Sequence, residues 1–245
     1  MLANMGRLVH RLKRDLRMAV LALAVLASPA QADDLSDFNT AVEAAMIHHR
    51  VAIGYLRTGN TDLAVLELEG MREAWSRVAA LPRPAVYRAN PRYTETILDV
   101  QVRVVGVFLV LDMGRLDVAR ASLDTIRHGL AALRRASRAE VLADCVLDAN
   151  VAMDALSAHD TRHDAKPDWD SVAAGSESYQ QTLQRCDRMA PPGVRHHVEF
   201  RRLIDGARAS LALMPKAIET RDADLLRRLL VELRSFDNLL AFRYG

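Results

Sequence analysis

The apolar residues between Tyr93 and Leu133 recur every three or four positions along two adjacent segments, and this spacing restricts the fold more than any other feature of the chain. The positions are Tyr93, Ile97, Val100, Val104, Val107 and Leu111, and then, after Met113-Gly114-Arg115, Leu116, Ala119, Leu123, Ile126, Leu130 and Leu133. The spacing predicts two amphipathic helices joined by a tight turn at Gly114. Each helix must bury its apolar stripe against the other and against further helices.

The same helix–turn–helix pattern is predicted at three other turns, near Gly59, Pro167 and Asp222. No segment alternates between apolar and polar residues as strands do, so the predicted class is all-α, with eight antiparallel helices. We predict two tandem up-down four-helix bundles, at residues 33–136 and 137–245, and the alternative is a solenoid of four helical hairpins. Outside the central pair, the predicted helices span residues 36–57, 62–80, 139–157, 171–190, 194–219 with a bend at Pro215, and 222–242.

The first 32 residues have the pattern of a secretory signal peptide. A basic region that ends at Arg17 is followed by a short uncharged run, 18–27, and then by small residues up to Ala32. The run is about half as long as a membrane-spanning helix, so we predict cleavage after Ala32 rather than an anchor. The expected location is periplasmic or secreted, with no stable membrane insertion after cleavage.

The charge balance gives no support for nucleic-acid binding. Removing residues 1–32 takes away five basic residues and one acidic residue, and the net charge changes from +2 to −2. A basic patch is the electrostatic footprint of nucleic-acid binding, and the chain that remains has no excess of basic residues.

The two cysteines are placed to form a disulfide. Cys145 and Cys186 lie at nearly equal distances before and after the predicted loop near Pro167, and both fall on apolar stripes. In an antiparallel hairpin they therefore lie level with each other, and an exported protein meets an oxidising compartment. We predict a Cys145–Cys186 disulfide of structural function, and two buried thiols are the alternative.

Histidines on two predicted helices are the candidates for a metal or haem site. His49 lies on the stripe of the first helix, and His197 lies three residues before Phe200 on the seventh. A core histidine that hydrogen-bonds a neighbour explains such positions, and a metal or haem ligand inside a bundle is the alternative. Met46 or Met214 is the candidate second haem ligand.

His196 and Glu199 form an HxxE pair that resembles part of the GxHxxE motif of the imelysin family. Imelysins are exported proteins of two four-helix bundles linked to metal uptake, so the resemblance implies metal handling by His196 and Glu199. Gly193 is displaced by one position from the motif, and Val194 stands in the place of the glycine.

The predicted loop between the fifth and sixth helices contains a second set of potential ligands. His159, Asp160, His163 and Asp164 offer two imidazoles and two carboxylates that could hold a divalent cation. Arg162 and Lys166 oppose such binding, and a solvated polar loop is the alternative.

The last two helices resemble those of cytochromes c′ and b562, which are exported haem-binding four-helix bundles. The likeness runs from Phe200-Arg201 to Phe242-Arg243. Ser235, Asn238 and Leu239 stand where the cytochrome c′ motif CxxCH has its cysteines and histidine, so covalent haem attachment is excluded. The resemblance implies a four-helix bundle, with non-covalent haem as an alternative to the absence of a cofactor.

The remaining residues with functional potential are read as structural. Trp75 is assigned to the core and Trp169 to a loop end. The arginine pairs at 134–135, 201–202 and 227–228 are expected to face solvent. The chain lacks a GxSxG elbow, an HExxH motif, a phosphate-binding glycine loop and a dinucleotide fingerprint.

These observations lead to a functional prediction that is mainly non-catalytic. We expect a periplasmic helical-bundle protein that acts as a binding or accessory module, with a protein partner in the periplasm as one option. A haem- or metal-binding bundle in electron transfer or metal handling is the alternative. No feature of the sequence indicates an enzyme.

Overall fold

The computed structural model describes residues 29–159 and 167–245, and within these ranges the chain is helical with no strand. The predicted signal segment, apart from its last four residues, lies outside the described part. The longer helices are α1 (Pro29–Arg57), α2 (Thr61–Ala80), α3 (Arg92–Asp112), α4 (Leu116–Ala136), α5 (Leu142–Ser157), α6 (Trp169–Met189), α8 (Val198–Leu211) and α10 (Ala223–Tyr244). Two short helices, α7 (Pro192–Arg195) and α9 (Met214–Glu219), flank α8, and a 3₁₀ turn (Ala85–Tyr87) precedes α3.

The turns between helices follow the predicted chemistry. Gly59 and Gly114 have φ angles of 74° and 70°, a region that glycine enters without steric cost. The side chains of Asn60 and Asp222 cap α2 and α10 by accepting backbone N–H bonds, at 3.3 and 2.8 Å.

Several predicted helix starts were wrong by a few residues. The first described residue, Pro29, already belongs to α1, so Ser36 does not begin the helix. Ala30, Gln31 and Ala32 are good helix formers and extend it towards the N-terminus. Helix α5 begins at Leu142 rather than 139, and α6 begins at Trp169 rather than 171 because Asp168 caps it.

The single long helix predicted over residues 194–219 is instead divided into three. His197 has extended backbone angles and separates α7 from α8. The second break, at Ala212-Leu213, lies ahead of Pro215, whose ring has no N–H to donate and would clash with the carbonyl of Leu211.

The buried apolar residues form two separate clusters, one in each half of the chain. The first cluster includes Phe38 and Trp75, and its helices α1 to α4 pack in sequence, with α1 also contacting α4. The second includes Tyr179 and Phe200 and lies among α5, α6, α8 and α10. Trp75 is a core residue as predicted, and its indole N–H donates to the Ile97 carbonyl oxygen at 3.1 Å.

A disulfide joins Cys145 of α5 to Cys186 of α6, with the two Cα atoms 5.4 Å apart. This pairing confirms the sequence prediction. Within residues 29–159 and 167–245, no helix is both long and apolar enough to cross a bilayer.

Candidate functional site

A cleft of about 450 Å³ lies where one face each of α1, α4, α5 and α10 meet, between the two halves of the chain. This volume falls within the usual range of small-molecule sites. Each helix contributes residues spaced three or four apart, so one face of each helix lines the cleft. Its charged and polar lining consists of Arg50, Arg57, Asp117, Arg120, Asp124, Arg127, His128, Asn150, Asp154, Arg234, Asp237 and Asn238, with His49 at its wall.

Four arginines of the first half cross to acceptors in the second half. Arg50 donates to the Gly245 carbonyl oxygen at 2.6 Å, and Arg127 donates to the Asn150 side-chain oxygen at 2.7 Å. Arg134 pairs with Asp144 at 2.8 Å, and Arg135 pairs with Asp148. The halves are therefore joined by arginine side chains of α1 and α4 that border or lie near the cleft.

The outward orientation predicted for Arg134 was wrong. Its side chain is only 7% exposed and its partner carboxylate only 4%. The Asp144 carboxylate also accepts the Val141 N–H at 3.0 Å, at the start of α5. A charge at the end of α4 is thus neutralised by the first turn of the next helix, a non-local contact that the spacing along α4 does not reveal.

His49 is completely buried at the wall of the cleft. Its Nε2–H donates to the Leu123 carbonyl oxygen at 2.9 Å, and Nδ1 has no hydrogen-bond partner among the described residues. Burial lowers the pKa of His49 to about 4, an effect that Arg127 and Arg50 reinforce. The imidazole is therefore neutral at pH 7, and the Leu123 bond places the proton on Nε2.

Asp237 of α10 is the buried carboxylate of the cleft. Arg234 lies 3.6 Å from its carboxylate, the Tyr179 hydroxyl donates to it at 3.5 Å, and the neighbouring Asn150 side chain also favours the ionised form. Burial raises the pKa of Asp237 to about 6, and these polar neighbours only partly offset the rise. Arg234 is shared, because it also pairs with Asp154 at 2.6 Å.

Arg127 holds a positive charge in the middle of the cleft. Burial lowers its pKa, and Arg50 and Arg57 lower it further, while Asp124 at 3.6 Å opposes the change. Asn150 accepts from Arg127 and lies near Asp237, so it stands between the arginine of the first half and the carboxylate of the second.

Arg57 and Arg120 differ from the other arginines that line the cleft. Neither forms an ion pair or side-chain hydrogen bond with any residue in the described part of the chain, and both are exposed. Arg50, Arg127 and Arg234 already have acceptors. The nearby carboxylate of Asp117 pairs with no described residue, and it lies in the first turn of α4, where a negative charge stabilises a helix. Two guanidinium groups thus remain available at the cleft, beside the apolar surface of Ile53 and Phe242.

The predicted ligand set of His196, His197 and Glu199 does not form a buried cluster. His196 follows the last residue of α7 and His197 precedes the first residue of α8, and both side chains are exposed. The placement of His197 on a buried stripe was therefore wrong, because the helix is interrupted between the two histidines. Glu199 pairs with Arg202 at 3.4 Å instead.

The predicted loop site lies largely outside the described residues. Asp160, His163 and Asp164 fall in the range 160–166, and only His159, at the end of α5, is described. Among the described residues, no group of three or more His, Cys, Asp or Glu side chains is arranged to hold a metal ion.

The described residues also do not fit haem at the position that the cytochrome resemblance implies. Ser235, Asn238 and Leu239, at the motif positions, are all exposed and offer no thiol or imidazole. Met46 belongs to the first half and Met214 to the buried cluster of the second, whereas His197 is exposed and His49 lies in the first half. Met46 and His49 are the one buried pair in the same half, but they lie one turn apart on α1, and His49 Nε2 is bonded to the Leu123 carbonyl oxygen, so they cannot bind an iron from opposite sides.

The sequence analysis missed the residues of the cleft, although a local signal for them existed. Asp117, Arg120, Asp124 and Arg127 recur at helical spacing along α4, beside its apolar stripe. Such a row is normally a solvated helix face. Only the meeting of α4 with α5 and α10 turns it into the wall of a cleft.

No family model matches this chain, and no curated protein or solved structure is significantly similar to it.

Proposed function

We propose that this protein is an exported, non-catalytic binding module that holds a small organic anion in the cleft between two up-down four-helix bundles. The observation that carries the proposal is the pair Arg57 and Arg120, two guanidinium groups without partners among the described residues, in a cleft whose other arginines are already paired. Arginine forms charge-assisted, often bidentate hydrogen bonds with carboxylates and phosphates.

The helix contacts support the two-bundle arrangement. Contacts between α1 and α4 and between α5 and α10 close each set of four helices on itself, and each set has its own buried cluster. A solenoid of hairpins would instead join the hairpins through one continuous core.

The composition of the cleft supports an organic anion rather than an inorganic one. Beside the arginines, the lining includes the apolar groups Ile53, Ala121, Val151 and Phe242. A ligand with an acidic end and a hydrocarbon part would satisfy both kinds of surface.

The burial of the titratable groups supports binding without catalysis. Burial shifts the pKa values of His49 and Asp237 strongly, but the two residues are 0% and 1% exposed. A general acid or base must come within hydrogen-bond reach of the substrate. Both groups are enclosed instead: Asp237 is held by Arg234 and Tyr179, and His49 is bonded through Nε2 to Leu123, with its other nitrogen buried.

The test compares two double variants that lose the same charge. Arg57→Gln/Arg120→Gln removes the two available guanidinium groups of the cleft. Arg88→Gln/Arg228→Gln removes two exposed arginines that do not line it. Small molecules that co-purify with the wild-type protein are identified by mass spectrometry, and their affinity for each variant is measured by calorimetry.

We expect an anionic ligand at one per chain, recovered chemically unchanged. Its affinity should fall by about tenfold or more for each cleft arginine removed, since a hydrogen bond to a charged group contributes about 1.5–3 kcal/mol. The control should bind as the wild type does. A neutral ligand, equal losses in both variants, or a ligand returned as a reaction product would contradict the proposal.

A further inference from the structure

Helix α3 carries a second apolar stripe on the face opposite its buried one. Leu98, Val102, Val105 and Leu109 are between 50% and 68% exposed, and Leu66 of the adjacent α2 extends the patch. Isolated exposed apolar residues are normal on a protein surface, but a contiguous row along about three turns of helix marks an interaction surface. The spacing of four, three and four residues is that of a coiled-coil seam.

The order of residues along this stripe reads the same in both directions. Leucines occupy the two ends and valines the two central positions, and the intervals are symmetric about the bond between Arg103 and Val104. If a second α3 lies antiparallel across a two-fold axis at that point, Leu98 faces Leu109 of the second copy and Val102 faces its Val105. A two-fold axis always sets a pair of positions against each other twice, and here each such pair joins two apolar side chains of the same kind, so the stripe is complementary to itself.

Gly106 is an independent observation that indicates the same face. It lies within α3, next to Val102 and Val105, where glycine costs about 1 kcal/mol relative to alanine. A Cβ at this position would meet nothing within 4 Å, so the fold of the single chain does not require a glycine there. A second helix can approach closely here, because Gly106 has no side chain to separate the two backbones.

The polar surroundings are compatible with self-association. Asp99 and Arg103 neutralise each other at 2.6 Å on the flank of the stripe. In the antiparallel register, Asp99 is level with Phe108 of the second copy and Gln101 is level with its Gly106. The two Arg103 residues lie beside the axis, and each is already paired with Asp99 of its own helix. Glu69, Arg72 and Glu73 of α2 border the patch and would form its polar rim.

We propose that this protein forms a two-fold symmetric dimer through antiparallel packing of α3 against α3 of a second copy. The interface is centred on Val102 and Val105 and is separate from the cleft, which lies on α1, α4, α5 and α10. Dimer formation therefore does not depend on the ligand proposed for the cleft.

The experiment exploits the predicted register through charge. Val102→Glu/Val105→Glu places like charges opposite each other across the axis. Val102→Lys/Val105→Glu places the introduced lysine of each copy opposite the introduced glutamate of the other only if the helices are antiparallel. Both positions are at least half exposed, so the single chain should fold in either variant, and circular dichroism checks this. Val231→Glu, on the exposed surface of α10, is the matched control.

Sedimentation equilibrium of the purified exported protein should give the mass of a dimer for the wild type and for the Val231 control. The Glu/Glu variant should raise the dimer dissociation constant by about a hundredfold or more, because opposed like charges cost several kcal/mol. The dimer dissociation constant of the Lys/Glu variant should be much lower than that of the Glu/Glu variant.

A wild-type protein that is monomeric at the highest soluble concentration overturns the proposal. So does a Glu/Glu variant that dimerises as well as the wild type, or a Lys/Glu variant no better than Glu/Glu. A monomer that captures a different protein through α3 would assign the stripe to that partner instead.

Discussion

At the scale of single residues, His49 and Asp237 respond to burial in opposite ways. Burial lowers the pKa of His49 to about 4 and raises the pKa of Asp237 to about 6. Between pH 4 and 6 the unfolded chain binds a proton at His49 that the folded protein does not, which lowers stability as the pH falls. In the same window the folded protein binds a proton at Asp237 that the unfolded chain does not, which raises stability as the pH falls. The two effects largely cancel in the wild type.

Substituting either residue should expose the effect of the other. Relative to wild type, the unfolding free energy of Asp237→Asn should increase by about 1.4 kcal/mol per pH unit between pH 4 and 6, because the penalty of the ionised buried carboxylate disappears. His49→Gln, which retains a donor for the Leu123 carbonyl, should show the opposite slope. Denaturant unfolding between pH 4 and 6 measures both slopes. If the unfolding free energy of each variant depends on pH as that of the wild type does, the pKa shifts given for His49 and Asp237 are wrong.

Arg134 and Asp144 form a buried ion pair whose loss should be costly. Arg134→Met leaves the Asp144 carboxylate enclosed without its counter-charge, and we expect a loss of about 3–5 kcal/mol of unfolding free energy. Adding Asp144→Asn should recover part of that loss. The measurement is a double-mutant cycle by denaturant unfolding.

Arg135 provides the control for this cycle, since it neighbours Arg134 but is 42% exposed. Arg135→Met should cost at most about 1 kcal/mol, as is usual for surface pairs. If Arg134→Met and Arg135→Met lower the unfolding free energy equally, burial does not govern the strength of the Arg134 pair.

At the scale of helices, the Cys145–Cys186 disulfide is the one covalent link between elements in the described part of the chain. It joins α5 and α6 across a sequence separation of 41 residues. In the chain-entropy model, a bond that closes a loop of this length stabilises the folded protein chiefly by restricting the unfolded chain.

Removing the disulfide should destabilise the protein without changing the helix packing. For Cys145→Ala/Cys186→Ala we expect a loss of roughly 2–4 kcal/mol, close to what the chain-entropy model gives for a loop of this size. Denaturant unfolding of the oxidised wild type and the double variant measures the difference. Identical unfolding midpoints would show that the bond contributes little to stability.

The exposed stripe of α3 belongs to the same scale. A helix that is apolar on two opposite faces has more apolar surface than one hydrophobic core can bury. The pattern at Leu98, Val102, Val105 and Leu109 is visible in the sequence. The spacing identified the buried stripe that includes Val100 and Val104 correctly, but it did not show that the second row stays exposed, because that depends on which helices pack against α3.

At the scale of the whole molecule, two apolar clusters are joined through polar contacts. Arginines, including Arg50 and Arg127, make the polar links across the halves, and most large buried apolar side chains stay within one cluster, whereas Leu147 and Phe242 lie at the cleft between them. Side chains do not fill all the space between the two clusters. The cleft lined by Arg57 and Arg120 lies in this space.

Local spacing was sufficient to predict the helices, most of their turns and the disulfide. A period of 3.6 residues determines which side chains share a face, and this is a property of neighbouring residues alone. Hence Trp75 could be assigned to the core, and Cys145 and Cys186 could be paired, before any coordinates were considered. The break at His197 could not be predicted in this way, because the residues around it do not interrupt the apolar pattern.

The tertiary structure decided which helix faces meet, and with them the candidate site. The row from Asp117 to Arg127 becomes the wall of a cleft only because α4 packs beside α5 and α10. Arg134 is buried only because the start of α5 supplies Asp144. Such contacts join residues that are distant in the chain, and their free energy depends on burial and counter-charges that no local pattern encodes.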